Sequence, residues 1–167
     1  MKENPMRAIK IEKVLLSCSG KEDDLVKSKK LLEILTSRKA QTISSSKRIP
    51  DFDVRPGLEV GVRVTMRGAS GIEILKRLLG AIDNTLKKKQ ISSNHFSFGI
   101  KEYIEIPGIE YHRDIGIRGL TATVVFARKG LRVQRKKIKV GKVAKKQYIS
   151  SDEIIKYMED VFKTKIE

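Results

Sequence analysis

Few side chains in this sequence could act as a nucleophile, a base or a metal ligand. Its two histidines, His95 and His112, fall in predicted loops, and its one cysteine, Cys18, falls on a predicted strand as a small hydrophobe. A nucleophile needs an oriented base beside it, and one cysteine cannot build a metal cage. Neither G-x-x-x-x-G-K-[ST] nor G-x-G-x-x-G is present. The sequence therefore predicts no enzyme activity, no metal site and no cofactor.

Cationic side chains offer a different chemistry, which is the binding of phosphates. The 167 residues include 36 Lys and Arg against 20 Asp and Glu, a net charge of +16. Such an excess favours a polyanionic partner. Charge alone does not choose among RNA, DNA and an anionic membrane.

The excess is concentrated near the C-terminus. Residues 128–147, the basic segment, contain ten Lys and Arg and no acidic residue. Such a block repels itself when it is alone, and phosphates would neutralise it.

A second polar stretch, the arm, covers residues 41–57 and includes three serines, Lys47 and Arg48. The strand predicted over 58–67 follows the arm. Val60, Val62, Val64 and Met66 would point inward, and the opposite side would carry Gly61, Arg63, Thr65 and Arg67. That side offers hydrogen-bond donors and room for a close approach to the backbone.

The remaining pattern alternates strands and helices. Strands are predicted over 9–18, 96–100 and 120–126. A helix over 21–37 would begin at a capping box of Ser19 and Glu22. A second helix would begin at Ser70 with Glu73 and continue past Leu86 to three lysines at its C-terminal end, and a third would begin near Ser150 with Ile149 and Ile154 as a hydrophobic staple.

This order predicts one α+β domain over residues 1–167, with helices on one face of a mainly antiparallel sheet. The arm is expected to be flexible, because it has no clear packing pattern. The opposite sheet face would be free for a ligand.

Known nucleic-acid motifs fit poorly. The G-I-R-G at 116–119 lies between a turn and a strand, whereas a KH loop joins two helices. Aromatic residues make up 5% with no Trp, and Phe52 is the best candidate for a stacking contact. Charge without stacking favours folded nucleic acid, and none of the helical patterns favours a membrane.

Five stretches occur in order along the chain: NPMRAIKIEKVLL at 4–16, LEILT at 32–36, DFDVRPGLEVGVRVTMRG at 51–68, FSFGIKEYIEIPGIEY at 96–111 and IGIRGLTATVVFARKGLRV at 115–133. Together they resemble the large-subunit ribosomal proteins of the L-five family, in its archaeal form. The resemblance implies a cytoplasmic ribosomal protein that binds 5S rRNA in the central protuberance, helps attach it to the large rRNA beside neighbouring proteins, and contacts peptidyl-site tRNA through the arm.

Site residues follow from the same resemblance and from the charge pattern. The expected rRNA contacts are Asn4, Met6, Arg7, Lys10, Ser17, Arg38, Arg63, Thr65, Arg67, Arg128, Arg132, Arg135, Lys136 and Lys137. The expected tRNA contacts in the arm are Ser44, Ser45, Ser46, Lys47, Arg48, Phe52 and Arg55.

The chain departs from the family pattern at three places. Ser17 stands where Asn is common, Ser37-Arg38 where Gly-Gln is common, and D-V-R-P at 53–56 where G-I-R-R is common. Serine keeps one hydrogen bond and Arg38 replaces an amide by a charge, so an RNA surface is expected with altered contacts. Two other functions stay open at this point, a free RNA chaperone or assembly factor and a metal-dependent nuclease.

Overall fold

The computed structural model describes residues 4–167 as alternating strands and helices. The strands are β1 (Ile9–Ser19), β2 (Gln41–Ser44), β3 (Glu59–Met66), β4 (Thr85–Leu86), β5 (Ile91–Ser92), β6 (His95–Ile100), β7 (Leu120–Arg128) and β8 (Lys165–Ile166). The helices are α1 (Glu22–Thr36), α2 (Ala69–Gly80), α3 (Arg132–Arg135) and α4 (Ser151–Phe162).

Six of the strands form one sheet in the order β2-β3-β1-β7-β6-β5. Every neighbouring pair in this sheet is antiparallel. β4 and β8 form a separate parallel pair. The α+β class with a mainly antiparallel sheet, predicted from the sequence, is confirmed.

Strict alternation gives the sheet two unlike faces. Val14 and Leu16 of β1, Val64 of β3 and Val124 of β7 are buried on one face. Phe96, Phe98 and Phe126 add an aromatic cluster there, with ring centroids 5.7 to 5.9 Å apart. Because side chains alternate along a strand, the residues between these lie on the opposite face, which we call the open face.

The helices α1, α2 and α4 cover the buried face. α1 contributes a stripe at Leu25, Ser28, Leu31, Leu32 and Leu35. α4 contributes Ile154 and Met158, and its Tyr157 ring packs edge-on against Phe126. This arrangement confirms the prediction that the helices share one side of the sheet.

Two predicted helix caps are wrong, although α1 begins within one residue of its predicted start. α1 has Lys21 at its N-cap with no side-chain bond, so the capping box of Ser19 and Glu22 does not form. α2 begins at Ala69 after Gly68, and the Ser70 hydroxyl donates to the carbonyl of Arg67 instead of capping the helix.

The predicted length of α2 is also wrong. The helix ends at Gly80, because Asp83 and Asn84 adopt left-handed backbone angles that turn the chain. Leu86 is therefore a buried residue of β4, and the three lysines at 87–89 do not lie at the end of α2.

The start of α4 is confirmed. The Ser150 hydroxyl accepts from the Glu153 amide, and the Glu153 carboxylate accepts from the Ser150 amide. Ile149 and Ile154 are both fully buried, as a staple requires. Glu153 also accepts both bonds from one nitrogen of Arg128, at 2.6 Å to each oxygen.

The arm contains more regular structure than the sequence indicated. Its first residues form β2, which pairs with β3 from Gln41↔Arg63 to Ser44↔Glu59. Beyond β2 the backbone of Ser45 bonds to Leu58 and Gly57, and an Ile49↔Val54 bridge closes the tip. The arm is thus a long hairpin that extends from an edge strand.

Cys18 lies on the buried face of β1. Burial raises the pKa of its thiol to about 11, against a smaller opposing effect of the Arg118 charge. A thiol with this pKa stays protonated at neutral pH, so Cys18 acts as a small core residue, as predicted.

The Arg128–Glu153 pair should matter for stability. The Glu153→Ala substitution would leave the guanidinium of Arg128, which is 5% exposed, without its anion and would remove half of the α4 capping box. We expect a loss of about 2–3 kcal/mol, below the usual range for a buried pair because Glu153 is 39% exposed. Urea denaturation measures this loss. The control Asp152→Ala, in the same helical turn but exposed, should cost about 1 kcal/mol or less; equal losses would contradict the assignment.

Candidate nucleic-acid interface

Polar residues line up across the strands of the open face. Antiparallel register places one row across five strands, made of Gln41, Arg63, Ser17, Thr121 and Gly99. A second row holds Thr65, Leu15, Thr123 and Ser97. Both rows result from the same alternation that buries the core residues.

The rows are suited to contact a sugar-phosphate backbone. Their hydroxyls can each donate and accept a hydrogen bond, and Ser17 Oγ bonds only weakly to the Thr121 carbonyl, at 3.5 Å. A Cβ added at Gly99 would meet nothing within 4 Å, so a ligand can approach the backbone there. Sugar hydroxyls and phosphate oxygens are the groups that such donors bind.

One end of the open face holds a cationic depression of about 520 Å³. Five cations line it, and no carboxylate does: Lys13, Arg38, Lys39, Arg63 and Arg67. Three segments supply them, since Lys13 comes from β1, Arg63 and Arg67 from β3 and its end, and Arg38 and Lys39 from the turn after α1.

Neutral partners orient the arginines of the cationic depression. Arg63 Nε donates to Gln41 Oε1 at 3.2 Å, and an Arg38 terminal nitrogen donates to Ser70 Oγ at 3.2 Å. These bonds fix direction without cancelling charge. The depression can therefore bind phosphate oxygens with guanidinium groups that are already oriented.

Several predicted residues meet at this site. Arg38, Arg63, Thr65 and Arg67 all line the cationic depression, and Ser17 and Lys10 lie on the same open face. The sequence reading missed Lys13, because a register shift between Ile11 and Lys13 breaks the alternation that would have assigned its face. It also missed Lys39, Gln41 and Thr121, although Gln41 could have been found as the first residue of an edge strand.

Arg128 does not belong to this surface. The residue is only 7% exposed, lies on the helix-covered face, and donates to Glu153 and to the Lys146 carbonyl. Its guanidinium is occupied by the protein, so we correct its assignment from an rRNA contact to a structural anchor of α4 and the basic segment.

The N-terminal residues lie elsewhere as well. Asn4 and Arg7 line a cavity beside α4, and Met6 lies against Gly130 at the start of the basic segment. They are exposed, but they are not part of the cationic depression.

The rest of the basic segment is exposed beyond β7. Arg132 and Arg135 lie on the short helix α3, and Lys136 and Lys137 follow it. Arg135 is paired with Glu12 of β1, which ties α3 to the sheet. The other three side chains are exposed cations with no acidic partner among the described residues.

The arm carries exposed groups of mixed type at its end. Lys47, Arg48 and Arg55 are exposed, and the Phe52 side chain is 66% exposed. Ser44 and Ser46 are exposed, whereas the Ser45 hydroxyl donates to the Lys47 carbonyl at 2.7 Å. The arm thus presents cations and one apolar ring away from the core.

Comparison with known proteins covers nearly the whole chain. The family model for the C-terminus of the ribosomal L5 family matches residues 59–155. The "Large ribosomal subunit protein uL5" of Nanoarchaeum equitans is 41% identical over 161 residues, 95% of each chain. The proteins of that name from Picrophilus torridus and Archaeoglobus fulgidus are 36% and 34% identical, covering 98% and 95% of this chain and 96% and 90% of theirs.

The chain belongs to the ribosomal L5 family. These relatives are archaeal, in agreement with the archaeal form that the sequence resembled. The matched C-terminal region runs from β3 into α4, and the relatives also cover β1, α1 and the arm.

The histidines have ordinary structural surroundings in this ribosomal L5 family member. His95 Nδ1 lies 3.1 Å from the Ser93 carbonyl, and the His112 amide donates to the Tyr103 hydroxyl at 2.9 Å. Residues 4–167 contain no group of three His, Cys, Asp or Glu that could hold a metal ion. In the same residues no helix is long and apolar enough to cross a bilayer.

Removing charge from the cationic depression should change how RNA binding responds to salt. The double substitution Arg63→Gln, Arg67→Gln removes two cations from exposed positions. We expect weaker binding to a folded ribosomal RNA and a log-log salt slope that is shallower by about 2, or about 1 for each phosphate that is no longer neutralised. Filter binding across a salt series measures both.

The matched control is Lys27→Gln, Lys30→Gln on the exposed side of α1. It removes the same charge from a surface outside the depression. An equal change in slope for the two double variants would show that net charge alone, and not the depression, controls binding.

Proposed function

We propose that the chain is a structural, non-catalytic component of the large ribosomal subunit that binds 5S rRNA in the central protuberance with its open face. It helps attach 5S rRNA to the large rRNA and contacts peptidyl-site tRNA through the arm. Family membership supports the ribosomal role. The open face supports the RNA contact.

One observation carries the proposal. The cationic depression and the two hydroxyl rows share one sheet face, and Arg63 belongs to both. Five cations without a lining carboxylate supply attraction for phosphates, and the rows supply short polar contacts beside them. Phosphates bound at the depression would bring the adjoining riboses over the rows.

Folded RNA fits this face better than an unpaired strand. Stacking platforms need exposed aromatic rings, whereas the open-face rows contain hydroxyls, an amide, an arginine, a leucine and a glycine. The wide minor groove of an A-form helix displays 2′-hydroxyls and phosphates. Ser17, Thr121 and Thr123 are positioned to bond to such groups, so recognition rests on shape and backbone.

The basic segment and the arm supply two further contacts. The exposed Arg132, Lys136 and Lys137 extend away from the end of β7 and would bind the large rRNA or a phosphate-rich junction with 5S rRNA. The arm joins the sheet at β2 and β3, and its Lys47, Arg48, Phe52 and Arg55 are exposed beyond that junction. We assign these four residues to the tRNA.

Binding to 5S rRNA tests the main proposal. A contact with about six phosphates should give a log-log salt slope of about −4 to −5. Filter binding or calorimetry with purified 5S rRNA between low and moderate salt measures the slope. A nearly flat dependence, or equal affinity for an unrelated hairpin of the same length, would contradict it.

Cellular location gives an independent check on residence in the ribosome. The chain should stay with large subunits through a high-salt wash. Release into the free fraction would favour an assembly factor with the same RNA surface.

The division between open face and arm can be tested without disturbing the hairpin. The variant Lys47→Gln, Arg48→Gln, Phe52→Ala, Arg55→Gln changes only exposed side chains and leaves β2 and the buried Val54 in place. We expect 5S rRNA affinity within about twofold of the parent, since surface substitutions rarely perturb folding. Occupancy of the peptidyl-site tRNA on reconstituted ribosomes should fall.

Shortening the hairpin from 46 to 55 should give the same result by another route. A large loss of 5S rRNA affinity in both variants would show that the arm is part of the 5S surface. Unchanged tRNA occupancy in both would remove the tRNA contact from the proposal.

A further inference from the structure

A second polar cavity, of about 600 Å³, lies on the helix-covered side at the ends of β1 and β7. Its volume is within the range of about 300–1,000 Å³ that is usual for small-ligand sites. Six of its lining residues combine both charge signs with an aromatic ring: Asn4, Arg7, Arg128, Lys156, Tyr157 and Asp160. The cavity is separate from the open face and shares no lining residue with the cationic depression.

Arg128 holds one wall of the cavity rigid. Its side chain is 5% exposed and donates to Glu153 at 2.6 Å and to the Lys146 carbonyl at 3.0 Å. Its Nε has no acceptor among the described residues. The pair neutralises itself, so Arg128 and Glu153 fix the wall and leave binding to the other charged groups.

Three charged side chains at the cavity remain available. Within residues 4–167, Arg7, Lys156 and Asp160 form no ion pair within 4.0 Å, and all three residues are exposed. The Asn4 side-chain oxygen accepts a hydrogen bond from the Met6 amide at 3.0 Å, so its side-chain nitrogen remains available to donate to a ligand. The site thus offers two cations, one carboxylate and one amide donor around one space.

A nucleotide is a ligand that could bind both to the two cations and to the carboxylate of this cavity. Arg7 and Lys156 can bind its phosphate, and Asp160 can accept hydrogen bonds from the edge of its base. The partly exposed Tyr157 ring, held against Phe126 with centroids 5.6 Å apart, gives an aromatic wall for the base. A plain anion site would not place a carboxylate beside the phosphate.

The carboxylate selects the base. Guanine presents two adjacent donors, N1–H and the N2 amine, which can meet both oxygens of one carboxylate, as a guanidinium does. Adenine and cytosine offer an amine next to a ring acceptor. Uracil offers one N–H between two carbonyl oxygens, which a carboxylate repels.

The fold places the cavity beside the basic segment. The basic segment leaves the sheet after Arg128 and returns to it where the Lys146 carbonyl bonds to Arg128, so both of its ends meet at the cavity wall. An RNA strand that neutralised the segment, as the proposed function has it, would pass the cavity mouth. Unpaired bases of such strands are commonly turned outward and bound on their edges.

We propose that this cavity binds one guanine nucleotide that is turned out of an RNA strand running along the basic segment. Arg7 and Lys156 bind its phosphate, and Asp160 reads the base. The inference extends the proposed function to a base-reading site on the opposite side of the molecule. It does not depend on 5S rRNA being the partner of the open face.

Titration of the ¹⁵N-labelled full chain with 5′-GMP, 5′-AMP, 5′-CMP and 5′-UMP tests the proposal by NMR. We expect 5′-GMP to shift amide signals of residues 4–9 and of α4, with an affinity about tenfold above that of 5′-UMP. Equal affinity for the four nucleotides, the same shifts with inorganic phosphate, or shifts confined to the open face would overturn it.

Variants separate the two halves of the site. Asp160→Asn should abolish the preference for 5′-GMP, and Arg7→Gln with Lys156→Gln should weaken all four nucleotides alike. The control Glu159→Gln, an exposed acid next to Asp160 but outside the cavity lining, should change neither. A change of the whole amide spectrum in Asp160→Asn would mean that this variant is misfolded. The deciding measurement is then the preference for guanosine over uridine in the Arg7→Gln, Lys156→Gln variant. If that variant shows no such preference, base reading is refuted.

Failure here is distinguishable from failure of the proposed function. In the Arg63→Gln, Arg67→Gln variant, 5′-GMP should shift the amide signals of α4 as it does in the parent, because the changes lie on the open face and not at the cavity. A parent chain that binds 5S rRNA but no nucleotide in the cavity overturns only this inference.

Discussion

The alternation of side chains in β1, β3, β6 and β7 gives the sheet one apolar face that packs against the helices and one polar face that is open to a ligand. One face must be aliphatic and aromatic, because α1, α2 and α4 pack there and exclude water. The alternate residues of each strand lie on the open face, where none of these three helices packs against them. The same ladder hydrogen bonds that hold the buried face together keep Ser17, Arg63 and Thr121 in register, so the polar row of the open face needs no additional structure to form.

Unpaired charge is the second constraint. Residues 4–167 form ion pairs at Arg118, Arg128 and Arg135, and each joins two distant elements. Two cations of the depression, Arg63 and Arg38, instead donate to the neutral partners Gln41 and Ser70. A carboxylate already offsets the charge of a paired arginine, whereas Arg38 and Arg63 are oriented by neutral groups and keep their charge available for a phosphate. The repulsion that results favours a polyanion that neutralises it.

Regular alternation made most of this fold predictable from sequence. β3, β6 and β7 follow from Val62 and Val64, from Phe96 and Phe98, and from Ala122 and Val124, because each run has a period of two. The start of α4 was predictable because Ser150 and Glu153 bond to each other locally. The α+β class then follows from the order of the elements.

The errors arose where distant contacts decide local structure. β2 has little pattern of its own and forms because β3 offers a free edge. α2 ends at Gly80 because Asp83 and Asn84 turn the chain left-handed, although the apolar spacing continues to Leu86. Lys13 could not be assigned to a face, since a one-residue register shift reverses every side chain beyond it.

Arg128 shows most clearly what could not be predicted from the sequence. It is buried and ion-paired, whereas other arginines of the same basic segment are exposed. Its neighbours in sequence are exposed cations, yet its own position in the β7 alternation turns it toward the helices, where Glu153 lies 25 residues away in the chain. That pairing could be found only once the register of β7 and the position of α4 were both known. It also changes what the segment is: with the Lys146 carbonyl bonded to the same guanidinium, residues 128–146 form a closed loop rather than a free tail. A loop tied at both ends has fewer conformations to lose than a free tail, so if RNA bound this segment as proposed, more of the phosphate attraction would remain as affinity.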